Sequence, residues 1–119
     1  MIEPLPDLPD GVLGFEAVGE VHSDDYRDTL VPALEAAGDA GEIRLVYVIG
    51  DRFERYSAGA SWQDAKLGLH HHGKWHRAAL VSDLDWVHHL IGAFGWAVPG
   101  EMKVFGLAEL DAAVAWAAG

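Results

Sequence analysis

Over residues 12–21, Leu13, Phe15, Ala17 and Val21 fall on one side of an extended chain and Glu16 and Glu20 on the other. That two-residue period predicts a half-buried strand. Upstream, Pro4, Pro6 and Pro9 withhold backbone donors and Asp10-Gly11 turns the chain, so residues 1–5 predict a short edge strand paired antiparallel with the first. The period then lengthens. Tyr26, Leu30, Ala33, Leu34 and Ala37 form a helical stripe behind Ser23 or Asp24 as cap, with Gly38 as its stop and Pro32 as a predicted kink. Residues 43–49 (IRLVYVI) are apolar on both sides and rich in β-branched side chains, the signature of a central strand covered on both faces. Residues 50–60 are charged and aperiodic and predict a loop longer than a compact domain normally needs. A helix over residues 61–72 follows, with Ser61 as cap, Asp64 as its capping-box partner and His70, His71 and His72 in its last turn. Residues 77–82 predict a second interior strand. Asp83 or Asp85 then opens a helix with the stripe Val87, Leu90, Ile91, Phe94 and Val98, stopped by Pro99-Gly100. Residues 101–105 predict a last strand, and residues 107–118 a closing helix through Leu107, Leu110, Val114 and Ala117.

The order is ββαβαβαβα. Three successive β-α-β crossovers, right-handed by default, make every strand after the first parallel to the others. The fold class is therefore α/β, with a mixed four- or five-stranded sheet packed by helices. The chain's 119 residues suit one domain spanning residues 1–119. No cysteine is present, which excludes disulfides, thiolate metal sites and cysteine nucleophiles. No apolar run is long enough for a membrane span, and no signal peptide is visible. The expectation is a cytoplasmic protein. Nineteen acids against eight bases give a net charge of -11, a field that repels phosphate backbones and anionic headgroups, so nucleic acid and membranes are poor partners. The charge is uneven: residues 1–60 carry 13 acids and 4 bases, residues 61–119 only 6 and 4.

In open α/β sheets, ligands bind outside the carboxyl ends of the parallel strands, where loops and helix N-termini converge. Here that rule selects residues 22–25, 50–61, 82–86 and 106–107, bringing Tyr56, Ser57, Ser61, Trp62, Asp83 and Trp86 to one edge. Trp62 and Trp86 each stand at the start of a helix after an interior strand, where the two either wall one groove beneath the long loop or each pack their own helix against the sheet. The histidine tract runs to the opposite edge. Neighbouring histidines on a helix point about 100° apart, so His70, His71, His72 and His76 complement a helix's negative end better than they hold a metal. His22, Ser57 and Asp83 are the side-chain types of a base, nucleophile and orienter, but no local motif supports them, and no phosphate-loop, dinucleotide or metalloprotease signature is present. No metal, cofactor or catalytic residue is expected.

The strand-helix order together with MIEPLPDLPDGVLGFEAVGEV, SDDYRDTLVPALE, SAGASWQDAKLG and KVFGLAELDAAVAWAA resembles a stand-alone SpoIIAA-like protein of the STAS superfamily over nearly the whole chain. The resemblance implies a non-enzymatic domain. Relatives of this kind include anti-sigma-factor antagonists switched by serine phosphorylation and modules that bind nucleotides or other small ligands, and the subgroup is likened to CRAL-TRIO lipid carriers. The serine switch of the antagonists lies in an Asp-Ser-[Ser/Thr]-Gly turn, whereas the matching residues 50–61 are longer and place Ser57 and Ser61 without a preceding Asp. The leading expectation is a module binding a small, partly apolar ligand or a protein partner through Tyr56, Ser57, Ser61, Trp62 and Trp86. The alternative is a phosphorylation-controlled interaction switch acting through Ser57 or Ser61. An exposed edge strand further allows a homodimer.

Overall fold

The computed structural model describes residues 1–56, 75–94 and 101–119. Its five strands are β1 (Ile2–Pro4), β2 (Leu13–Val21), β3 (Ile43–Tyr56), β4 (Trp75–Val81) and β5 (Glu101–Phe105), laid side by side in chain order. β1 runs antiparallel to β2 with Glu3 opposite Glu16, and β2, β3, β4 and β5 are mutually parallel. The mixed five-stranded α/β sheet and the direction of its strands are those expected. The helix expected over residues 61–72, residues 57–60 before it and the Pro99-Gly100 stop lie outside the described residues.

Because the strands advance in one direction across the sheet, right-handed crossovers must place their helices on a single face. Two described helices do so. Leu30 and Leu34 from the first crossover and Val87 from α3 (Asp85–Phe94) join Phe15, Ala17, Val21, Leu45, Tyr47 and Ile49 in one core. The other face holds a second core of Val46, Val48, Ala79, Val81 and Phe105. Neither of the described crossover helices serves that face. It is sealed by Ala113 and Ala117 of α4 (Leu110–Ala118), which follows β5 through a 3-10 turn (Leu107–Glu109), and by Leu5 and Leu8 from the segment between β1 and β2. β3 is central to both cores, with Ile43, Leu45, Tyr47 and Ile49 on one face and Val46 and Val48 on the other, which is why its sequence is apolar throughout.

Three expectations need correction. The first crossover helix is assembled from α1 (Ser23–Asp25), a π turn (Tyr26–Leu30) and α2 (Val31–Ala40). Pro32 in an uninterrupted α-helix would press its ring on the carbonyl of the preceding turn. The π turn ends just before it, so Pro32 occupies the opening positions of α2, where an absent N–H leaves nothing unpaired. The helix also runs past Gly38, which is buried within it, and stops at Gly41, whose N–H donates to the Ala37 carbonyl at 3.0 Å. Its start is secured by Asp25, whose carboxylate accepts the His22 N–H at 2.7 Å.

The third correction concerns residues 50–56, expected as loop. They continue β3, which is 14 residues long. β2 extends to Val21 and supplies the partner, with Gly19 opposite Phe53, Glu20 opposite Arg55 and Val21 opposite Tyr56, after a bulge that Gly19 absorbs at φ 63°. Opposite charges hold this extension. Arg52 reaches Glu3 at 2.8 Å and Glu16 at 3.7 Å, and Arg55 reaches Glu20 at 3.1 Å. A strand stabilised by cross-strand ion pairs has no apolar alternation to betray it.

Candidate functional site at the carboxyl rim

The parallel strands all run toward the same end of the sheet, β2 and β3 extending past the last residues of β4 and β5, so His22 after β2, the last residues of β3, Ser82 to Trp86 after β4, and Gly106 and Leu107 after β5 lie at one carboxyl end, taken as the rim. Of the nominated residues, Trp86 lies at this rim at the start of α3, and the backbone of Tyr56 ends β3. Ser57, Ser61 and Trp62 lie outside the described residues. Of the groove expected between Trp62 and Trp86, only the wall at Trp86 falls among the described residues.

That wall is aromatic. Trp86 is 43% exposed, and its ring lies 6.3 Å from that of Phe53, centroid to centroid, at an interplanar angle of 47°, within the range of a tilted aromatic pair. Phe53 is half-buried and packs against the first core. The extension of β3 thus carries Phe53 past the last residue of β4 to meet α3. Leu84, two positions before Trp86, is 36% exposed. It was not among the nominated residues, although its place between Asp83 and Asp85 gave the signal: an apolar side chain flanked by charges in a turn has little reason to be buried.

The polar groups at the rim hold backbone. The Asp83 carboxylate accepts the Leu107 N–H at 3.0 Å and so caps the turn after β5 from the neighbouring strand, while Glu109 accepts the Gly106 N–H at 2.9 Å. Ser82 is fully buried. Its N–H donates to the Phe105 carbonyl at 2.9 Å and its Oγ accepts the Leu84 N–H at 3.2 Å. The His88 ring donates through Nε2 to the Ser82 carbonyl at 2.7 Å, since a carbonyl only accepts. Asp83 therefore orients a turn rather than a histidine. Among the described residues no three histidine or carboxylate side chains converge as metal ligands, and no helix is long and apolar enough to cross a membrane. Beside the rim, the exposed Arg27 guanidinium is held above its ordinary range by Asp28, which it hydrogen-bonds, and by Asp24.

At the opposite edge two arginines have a structural role that composition alone did not single out. Arg44 and Arg77 are register partners on β3 and β4. Arg44 donates to the Ala117 carbonyl at 3.0 Å and Arg77 to the Trp116 carbonyl at 2.7 Å. Both thereby satisfy the last carbonyls of α4 and complement its negative end. Arg77 also lies 5.0 Å over the Trp116 ring and 3.1 Å from Glu101.

Comparison with known proteins agrees with this architecture. No curated protein matches the chain. Among solved structures, an uncharacterised protein of the DUF3478 family with a SpoIIAA-like fold from Shewanella loihica PV-4 is 29% identical, with a TM-score of 0.68 over 97% of this chain and 92% of that one. The anti-sigma factor antagonist SpoIIAA in its unphosphorylated form superposes with a TM-score of 0.51 over 87% of this chain and 88% of its own, at 12% identity, a likeness of fold. A family model described as SpoIIAA-like matches residues 12–118, and the chain belongs to the SpoIIAA-like family.

Proposed function

We propose that this chain is a non-catalytic interaction module, acting in the cytoplasm, that docks a protein partner on the carboxyl rim of its sheet. A small, partly apolar ligand is the other occupant the same rim would suit. The observation that carries this reading is the exposed Trp86 ring braced on Phe53. A large aromatic held in place from behind gives contact area at low entropic cost, which is how binding hot spots are built. The non-catalytic part rests on the rim's polar chemistry: Asp25, Asp83 and Glu109 each accept a backbone N–H.

Site-specific photocrosslinking in the native cell tests the proposal. A photoreactive phenylalanine replacing Trp86 should trap a discrete protein adduct, and the same group replacing the exposed Glu35 on α2 should not. Equal adducts at both positions, or none at position 86, overturn the docking site. Titration of the purified protein with fatty acids and phospholipids, followed by native mass spectrometry, separates the two occupants: a stoichiometric lipid adduct lost in Trp86→Ala favours the small ligand.

A further inference from the structure

Resting on that reading of the rim, we infer that the partner's docking segment is cationic, pairing an apolar or aromatic side chain with flanking lysines or arginines. The inference comes from which charges are already neutralised. Each arginine among the described residues has a carboxylate partner: Arg27 with Asp24 and Asp28, Arg44 with Glu42, Arg52 with Glu3 and Glu16, Arg55 with Glu20, and Arg77 with Glu101. The exposed carboxylates around the apolar patch are not so matched. Asp51 and Glu54 flank Phe53, and Asp85 separates Leu84 from Trp86; none of the three forms an ion pair or hydrogen bond among the described residues. An apolar patch whose chain neighbours include three uncompensated carboxylates is complementary to a cationic, apolar segment. A net charge of -11 extends that attraction outward and accelerates encounter with such a partner. The same field disfavours a second copy of this chain or an anionic lipid surface at this patch.

The probe is a synthetic 14-residue amphipathic peptide of leucine and lysine, compared with versions carrying glutamine or glutamate in place of lysine, and read by amide chemical shifts of the labelled protein. The lysine peptide should shift resonances of residues 51–54 and 83–86. Its affinity should fall at least tenfold in the triple variant Asp51→Asn, Glu54→Gln, Asp85→Asn. It should change less than twofold in the control Asp10→Asn, Glu35→Gln, Asp39→Asn, which removes as much charge from exposed sites away from the rim. Equal weakening in both triple variants would reduce the effect to net charge and overturn the inference. Binding of the glutamine or glutamate peptide at the rim as tight as that of the lysine peptide overturns the cationic partner while leaving the docking site standing. If no peptide shifts the rim, or Trp86→Ala leaves binding unchanged, the docking site itself falls.

Discussion

Arg77 combines three roles in one side chain: a charged donor to the Trp116 carbonyl, an ion pair with Glu101 and a cation over the Trp116 ring. Arg77→Ala should lower unfolding free energy by about 2 kcal/mol, the scale of a part-buried hydrogen bond from a charged group plus lost stacking. Arg77→Lys should recover less than half of it, because a point charge cannot reach carbonyl and carboxylate together; urea melts of the three proteins check both. Gly19 is the opposite kind of residue, important for having no side chain. At φ 63°, Gly19→Ala should cost about 1 kcal/mol, a left-handed penalty partly offset by a stiffer unfolded chain, and Gly19→Asn should cost less. None of these roles could be seen in composition. An arginine in a strand and a glycine near its end look the same whether they cap a helix, absorb a bulge or face solvent.

Elements were legible where a single periodicity governed them. β2, the apolar half of β3, β5 and the closing helix announce themselves because burial on one or both faces dictates side chains at every second or every third to fourth position. The extension of β3 was hidden because its partner is held by charge, with Arg52 and Arg55 opposite acids contributed by β1 and β2. The helix boundary at Gly41 was hidden for a related reason: Gly38 is tolerated inside the helix because it is buried there, a fact of packing rather than of sequence. At the candidate site, the location followed from strand direction, and Trp86 was found where expected, but Phe53 reached it only through the unforeseen length of β3. The turn after β5 depends on a carboxylate from another strand. Asp83→Ala should therefore destabilise by about 1 kcal/mol, as loss of a cap does, and should raise amide exchange at Leu107 more than in the middle of α4. Exchange monitored by NMR measures both.

The whole molecule has two cores on opposite faces of one sheet, closed by different means. Ala113 of α4 is fully buried in the second. Ala113→Asp would place a carboxylate among Val46, Val81 and Phe105, and should cost more than about 3 kcal/mol, enough to unfold much of the population at 37 °C as seen by circular dichroism. The charge balance acts on the same stability from outside. With -11 on 119 residues, mutual repulsion opposes the compact state, and raising sodium chloride from about 10 mM to about 200 mM shortens the screening length from roughly 30 Å to under 10 Å. The melting temperature should rise over that range; a fall would mean that the exposed ion pairs of β3 outweigh the repulsion.

Since every described crossover helix lies on one side, valines 46, 48 and 81 have only Val12, Leu5 and Leu8 from the N-terminal stretch over them until the stretch from Leu110 to Ala118 folds down. During synthesis that stretch is still inside the ribosomal tunnel when β5 emerges, so the nascent protein carries an incompletely covered sheet face at its most vulnerable moment. The emergence of that stretch, rather than the appearance of any strand, is then the event that completes folding, and chaperones that shield emerging chains have their natural target on this side of the molecule.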